Sequence, residues 1–390
     1  MILGSHGNRA FGNIDFDQSP FVAIWETTRA CDLACRHCRA EAISAPLPGE
    51  LTTEEGFSLL EDLAEMGTPI CVLSGGDPAK RSDLCELVRF GADLGMRMAT
   101  IPAATPLLTD GLLTSLKEAG LHQVAFSLDG PTAERHDAFR QTPGAFERTL
   151  KAARAARRIG LPLQINTVFS SYNRTDFRAI AELVIALKVV FWEVFFLVPM
   201  GRGRELQQLN AEHFEAVFRE LADLAAGVDF IVKVTEAPHY RRFLMQAHET
   251  RTGQQEAPTH SSNRSPVSSA VGTLPAHMRR DFGPGGSVGL APKGVNSGKG
   301  HLFVNYRGDV FPSGFLPLEC GNVRKDSIAD VYRRHPVFRS LRDPELLKGK
   351  CGACEFRSVC GGSRARAYAM TGDILAPEPF CVYQPCASPA

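Results

Sequence analysis

The sequence predicts an α/β protein, a parallel sheet curled towards a partial barrel, and three observations predict it. Short apolar or β-branched runs alternate with longer segments of helical period and composition. Six strand–helix units follow one another, which calls for right-handed crossovers and falls short of the eight units of a closed barrel. The residues with chemistry to offer fall at the ends of the strand-like runs, where parallel α/β proteins place their sites.

The elements come in order. Residues 21–25 read as a buried strand that runs into a cysteine-bearing loop. A helix over 53–66 is opened by Thr52 and Thr53, with Glu54 and Glu55 in the first turn, where carboxylates complement the helix dipole. A strand over 70–73 ends in Ser74-Gly75-Gly76-Asp77-Pro78. Helix 83–94, strand 96–101, helix 110–119 and strand 123–128 follow, the last ending at Asp129-Gly130. Helix 146–159, strand 163–168, helix 176–187, strand 189–198 and helix 211–225 complete the six units. From 251 to about 300 the chain turns polar and rich in Pro, Gly and Ser without apolar period, which marks a linker or a lid. A hairpin is predicted from 301–304 and 308–312. The expected division is an N-terminal extension (1–20), the barrel (21–250), the linker (251–300) and a small C-terminal domain (301–390).

At 390 residues the chain accommodates one large and one smaller domain. It holds 43 basic and 43 acidic residues, a balance that gives no general attraction to nucleic acid or to anionic membranes. The most apolar stretch, 183–200, carries Lys188 and Glu193 in its middle, so a helix end followed by a buried strand explains it better than a membrane span. The N-terminus lacks the basic and apolar regions of a signal peptide. The eleven cysteines are grouped by motif and not scattered as in a small secreted domain, so reduced thiols and a cytoplasmic location are expected.

Cys31, Cys35 and Cys38 occupy eight residues after the first strand. Three thiolates so spaced hold three corners of an iron–sulfur cube and leave the fourth iron open. Structural zinc sites more often pair C-x2-4-C units, so zinc is the weaker alternative here. The stretch Cys31-Asp-Leu-Ala-Cys35-Arg-His-Cys38 resembles the signature of radical SAM enzymes, with His37 where an aromatic residue often stands. That resemblance implies the same partial (βα)6 barrel, a [4Fe-4S] cluster with an open iron, and S-adenosylmethionine bound to it.

A second group, Cys351, Cys354, Cys360 and Cys381, supplies four more thiolates, enough to close a cluster completely. Zinc remains an alternative occupant of this group, because C-x2-C pairs suit it too. The spacing resembles the SPASM-type C-terminal extension of radical SAM enzymes. It departs from the full pattern: Ser363 and Arg364 stand where a further cysteine is usual, and Ser313 stands in place of the first upstream cysteine. The resemblance therefore implies one auxiliary [4Fe-4S] cluster and not two, with Cys320 and Cys386 left spare. Cys71 and Cys85 read as small core residues.

The resemblance also assigns the S-adenosylmethionine contacts. Gly75, Gly76, Asp77 and Pro78 match the family's glycine-glycine-glutamate loop, with Asp77 one methylene shorter than the usual glutamate. Ser127 and Asp129 match its fourth-strand motif, Asn166 is a candidate ribose contact, and Arg140 a candidate partner of the S-adenosylmethionine carboxylate. Asp129 also reads as a plain turn residue, and Arg140 as a surface arginine. The implied reaction is reductive cleavage of S-adenosylmethionine to a 5′-deoxyadenosyl radical that abstracts hydrogen from substrate, with electrons from a flavodoxin or ferredoxin. No residue beyond the cluster and S-adenosylmethionine ligands is assigned as catalytic.

The segment Cys360-Gly-Gly-Ser-Arg-Ala-Arg-Ala-Tyr-Ala369 looks like the branch that modifies tetrapyrroles in haem and haem d1 synthesis. On that likeness Arg202, Arg204, Arg364 and Arg366 either grip substrate carboxylates or pair with structural ones. The alternatives are a maturase of a ribosomally made peptide and, from another class, a non-catalytic iron–sulfur protein for electron transfer or redox sensing.

Overall fold

Seven parallel strands stand side by side in chain order, each joined to the next through at least one helix, in a computed structural model that describes residues 14–252, 291 and 293–385. The succession is β1 (Val22–Glu26), α1 (Thr53–Glu65), β2 (Ile70–Ser74), α2 (Leu84–Asp93), β3 (Arg97–Thr100), α3 (Asp110–Glu118) and β4 (Gln123–Ser127). It continues with α4 (Ala133–Arg140), α5 (Ala145–Arg158), β5 (Leu163–Phe169), α6 (Phe177–Ala186), β6 (Phe191–Phe196), α7 (Ala211–Gly227), β7 (Ile231–Thr235) and α8 (His239–Thr252). The six units expected from the sequence are all present, and the partial barrel is the architecture they build. Three elements go beyond them: β7, which pairs in parallel with β6, α8 after it, and α4, which carries Arg140.

The other edge is extended from a distance. Strand β8 (His301–Val304) pairs in parallel with β1, Val22 opposite His301, and then turns back through β9 (Asp309–Phe311) to β10 (Gly321–Asn322). The predicted hairpin exists, and it continues the barrel sheet, giving ten strands among the described residues in the order β10-β9-β8-β1-β2-β3-β4-β5-β6-β7. Beyond it lie short helices: α9 (Ile328–Arg334), α10 (Pro336–Arg342), α11 (Gly349–Gly352) and α12 (Arg364–Thr371). Of the predicted 251–300 linker, residues 251–252 end α8, and 253–290 and 292 lie outside the described residues. The stretch 293–300 is not linker: Asn296 and Lys299 form a tight bridge ahead of β8.

Period-two alternation sorts the strand residues onto two faces. Trp25, Leu73, Met98, Phe126, Ile165 and Trp192 turn outward into the apolar layer beneath the helices, and each is fully buried. The alternating set on the concave face is polar: Glu26, Ser127, Gln164, Asn166, Glu193 and Lys233. A polar lumen inside an apolar shell leaves room for a polar ligand where a fully packed barrel has none.

Candidate functional site

The loop leaving β1 gathers Cys31, Cys35 and Cys38 into one group with Leu33, at the C-terminal edge of the sheet. Cys31 and Cys35 are each 8% exposed, so the sulfurs are largely shielded from water. The loop is anchored on both sides. The Cys31 N–H donates to the Ile43 carbonyl at 2.7 Å and the Arg36 N–H to the Phe139 carbonyl at 3.0 Å. Arg202, on the 201–205 turn after β6, donates from Nε to the Cys35 carbonyl at 2.9 Å and from its backbone to the Cys38 carbonyl at 3.1 Å. Gly201 beside it has φ +51°, and a Cβ there would lie 2.5 Å from the Cys38 carbonyl. Glycine is needed both for the left-handed backbone and for the close approach.

Donors point at the sulfurs. The Leu33 N–H lies 3.4 Å from the Cys31 sulfur, and Arg140 Nη1 lies 3.6 Å from that of Cys35. Burial pushes the Cys31 thiol up to about 12, and the Cys35 thiol also above its ordinary value, against the pull of Arg140. The thiols are thus protonated until a metal displaces their protons. His37 stacks flat on Phe139, rings 4.7 Å apart and 8° from parallel, and its Nδ1 is buried without a partner. Burial, reinforced by Arg140, keeps that imidazole neutral, well below the usual histidine range. Three clustered cysteines, two of them buried with N–H donors on their sulfurs, and an orphaned ring nitrogen on His37 in the same loop fit a three-cysteine iron–sulfur cluster.

Of the residues predicted around S-adenosylmethionine, Gly75, Gly76, Asp77 and Arg140 lie against this loop or the chain entering it, whereas Ser127 and Asn166 stand on β4 and β5. Gly75 and Gly76 lie against the chain entering it: the Gly76 N–H donates to the Thr28 carbonyl at 2.7 Å. A Cβ on Gly76 would sit 2.4 Å from the Ala30 carbonyl. Asp77 is fully buried, and its carboxylate turns into the protein. It accepts from the Ala79 and Ala103 N–H groups at 3.1 Å each and from Thr105 Oγ1 at 2.9 Å, so it fixes the 103–105 loop. Pro78 is buried at the start of the next turn. Asp129 is no free turn residue and Arg140 no surface arginine. Arg140 Nε donates to Asp129 Oδ2 at 2.8 Å, while Asp129 Oδ1 accepts the Val168 N–H at 2.8 Å. Burial alone would lower the guanidinium, and Asp129 and Cys35 outweigh it, holding Arg140 charged.

Ser127 lies opposite Asn166 in the register of β4 and β5. Asn166 accepts from Gln164 Nε2 at 2.6 Å, and the same amide reaches Glu193 Oε2 at 2.9 Å. Glu193 in turn receives Lys233 Nζ and Thr235 Oγ1, each at 2.6 Å. Burial would raise this carboxyl, but Lys233, Thr235 and Gln164 outweigh it and hold it below the ordinary range. This lumen network was missed from the sequence, although its signal was there: polar residues spaced by two at Gln164 and Asn166, and Lys233 alternating with valines.

The second cysteine group also assembles. Cys351, Cys354, Cys360 and Cys381 line one pocket with His239, Arg242, Lys350 and Glu378. The Gly362 N–H donates to the Cys360 sulfur at 3.4 Å and the Glu378 N–H to the Cys351 sulfur at 3.3 Å. Burial pushes Cys354 up to about 11 and Cys360 up to about 12. Four sulfurs with N–H donors fit a fully ligated cluster. Cys320 stands apart, its thiol bonded to the Leu318 carbonyl at 3.3 Å. Cys71 is a core residue, Cys85 packs partly buried against the core, and Ser313 accepts the Phe315 N–H at 3.1 Å. Cys386 lies outside the described residues.

The arginines considered for substrate carboxylates are mostly engaged elsewhere. Arg364 is 2% exposed and donates to the Ile374 and Ala376 carbonyls. Arg366 is fully buried, pairs with Glu378 at 3.3 Å and donates to the Phe196 and Leu197 carbonyls at 3.2 Å, tying this segment to the end of β6. Arg202 clamps the first cysteine loop, and Arg204 is exposed. Pairing with a structural carboxylate holds for Arg366 alone, while Arg202 and Arg364 donate to backbone carbonyls instead.

Comparison with known proteins agrees with this geometry. Residues 25–184 match the Radical SAM superfamily, and residues 296–355 match SPASM, an iron–sulfur cluster-binding domain. The chain is 39% identical to the AdoMet-dependent heme synthase of Oleidesulfovibrio alaskensis, over 96% of this chain and 90% of that one. It is 38% identical to the AdoMet-dependent heme synthase of Methanosarcina barkeri, over 95% and 99%. Among solved structures, Streptococcus suis SuiB bound to S-adenosylmethionine superposes with a TM-score of 0.68, at 13% identity, over 94% of this chain and 78% of that one. At that identity the likeness is one of fold.

Proposed function

The chain belongs to the radical SAM superfamily, with a SPASM segment behind the barrel, and from that premise we propose that it is an S-adenosylmethionine-dependent enzyme that converts a carboxylate-bearing tetrapyrrole into a haem. The observation that carries the reading is the convergence of Cys31, Cys35 and Cys38, the Gly75–Gly76 backbone and Arg140 at one end of a polar barrel. Bound there, the cluster and S-adenosylmethionine would supply reductive radical chemistry for hydrogen abstraction from the substrate.

The chain's own residues do the rest. Cys31, Cys35 and Cys38 hold the cluster, and Gly75 and Gly76 let the backbone come close to the S-adenosylmethionine amino group. Arg140, held between Cys35 and Asp129, would receive its carboxylate, and Ser127 and Asn166 would receive its ribose. Lys233, ion-paired with Glu193 in the lumen, is a cation available to a substrate carboxylate. The apolar shell around the lumen keeps water from the radical. Cys351, Cys354, Cys360 and Cys381 would hold a closed second cluster, which would supply one-electron chemistry. A flavodoxin or ferredoxin supplies the reducing electron. The grouped free thiols suit the reducing cytoplasm, and no helix among the described residues is long and apolar enough to cross a membrane. The relatives named as heme synthases support the tetrapyrrole over a peptide substrate.

The test is anaerobic reconstitution with iron and sulfide, followed by dithionite, S-adenosylmethionine and an iron porphyrin that carries propionates in place of vinyl groups. 5′-Deoxyadenosine and haem are the expected products. Cys31, Cys35 and Cys38 replaced together by alanine abolish both, whereas Cys354→Ala retains part of the 5′-deoxyadenosine and loses haem. Turnover of S-adenosylmethionine with no change in the porphyrin rejects the substrate; intact S-adenosylmethionine on a fully loaded protein rejects the enzyme.

A further inference from the structure

We propose that His239 is a hydrogen-bond donor to the second iron–sulfur cluster, its ring N–H directed at a sulfur in the four-cysteine pocket so as to raise that cluster's reduction potential. The inference rests on the assignment of Cys351, Cys354, Cys360 and Cys381 to a cluster.

His239 opens α8 and lines the same pocket as those four thiols. It is fully buried, and neither ring nitrogen has a hydrogen-bond partner. A buried imidazole with both nitrogens orphaned is rare and costly, and it calls for a partner that the protein itself does not supply. The ring is fixed in place. Phe214 stacks on it at 5.2 Å and 29°, and Phe218 meets it edge-on at 4.9 Å. Those aromatic contacts close two sides without offering a strong acceptor.

The charged groups nearby are already committed. Glu378 accepts from Arg366 and from the Ser363 and Phe380 N–H groups. Arg242 is paired with Glu215, and Lys350 donates to the Cys381 carbonyl. What remains for the imidazole is the pocket itself, whose acceptors are sulfurs. A hydrogen bond to a cluster sulfur stabilises the reduced, more negative state more than the oxidised one, and so raises the potential. His239 would then set how readily the second cluster takes up an electron, without being one of its ligands.

The experiment uses the full chain carrying Cys31→Ala, Cys35→Ala and Cys38→Ala, so that the second cluster alone gives an EPR signal. With 15N-labelled histidine, pulsed EPR on the reduced protein should show coupling to a histidine nitrogen. His239→Phe keeps an aromatic ring between Phe214 and Phe218 and removes the donor; it should lose that coupling and lower the midpoint potential at unchanged iron content. His239→Gln, which restores an N–H, should recover part of the shift. No histidine coupling in the unsubstituted site, or a potential that His239→Phe leaves in place, overturns the donor role while the cluster assignment stands. Zinc, or no iron, in this site overturns both together.

Discussion

The guanidinium of Arg140 faces the sulfur of Cys35 across 3.6 Å. Its other edge is held by Asp129, fully buried behind it, so one side chain bridges a cysteine sulfur and an interior carboxylate. Arg140→Met would strand Asp129 without a counterion, and breaking a buried pair in this way costs about 3–5 kcal/mol. Removing both charges costs less, because nothing is left unpaired. Urea denaturation of the metal-free chain should therefore show Arg140→Met far less stable than the Asp129→Asn, Arg140→Met double variant. Equal losses would mean that the pair is not the buried unit described.

Gly76 supports the cluster loop from below. A methyl group there meets the Ala30 carbonyl at 2.4 Å and the Arg29 carbonyl at 2.6 Å, both backbone atoms that cannot swing aside. Gly76→Ala should push the cysteine loop outward by a sizeable fraction of an ångström and cut 5′-deoxyadenosine formation by about 100-fold, the scale of loss that misplacement of reacting groups brings. Iron in the second site, measured on the chain that lacks Cys31, Cys35 and Cys38, should be unaffected by the same substitution.

What the sequence made legible follows from range. Cysteine spacing and alternating apolar runs are local signals, and they located both thiol groups, the six strand–helix units and the residues at the strand ends. Helix α4 was not legible, because its buried face consists of His136, Phe139 and Arg140 and lacks the apolar period of a core helix. Strand β7 spans five residues with a lysine at its centre, too short and too polar for its pattern to stand out. The parallel pairing of β8 with β1 joins Val22 to His301, far beyond the reach of any local window of sequence. The same holds for Arg366, which reads as a ligand-binding residue until its partners, Glu378 and the end of β6, are brought to it by the fold.

Lys233 and Glu193 offer a separation of substrate handling from radical generation. Their ion pair projects from adjacent strands into the lumen, with the Lys233 side chain still 37% exposed to an incoming ligand. Lys233→Met removes the cation without touching either cysteine group. Haem formation should fall by about 10-fold or more, as loss of one charged contact implies, while 5′-deoxyadenosine formed without porphyrin continues at its former rate. A parallel fall in both would place Lys233 in folding and not in substrate recognition.

His136 gives the protein a pH dependence whose sign can be worked out. Its Nδ1 accepts the Asp129 N–H at 3.1 Å, so the ring is the neutral Nε2–H tautomer, and burial followed by the charge of Arg140 lowers it from 6.5 to about 3. In the unfolded chain this histidine takes up a proton near pH 6.5, whereas the folded chain refuses it until about pH 3. The stabilisation is thus complete above pH 6.5 and drains away as the pH falls through the interval down to about 3, at a ceiling of about 1.4 kcal/mol per pH unit. His136→Gln carries no titrating group and is free of this term. In urea denaturation of the metal-free chain, the stability of the unsubstituted protein relative to His136→Gln should shrink from pH 7 to pH 5. A difference that stays constant across that range would mean that the imidazole beside Asp129 already carries its second proton in the folded state.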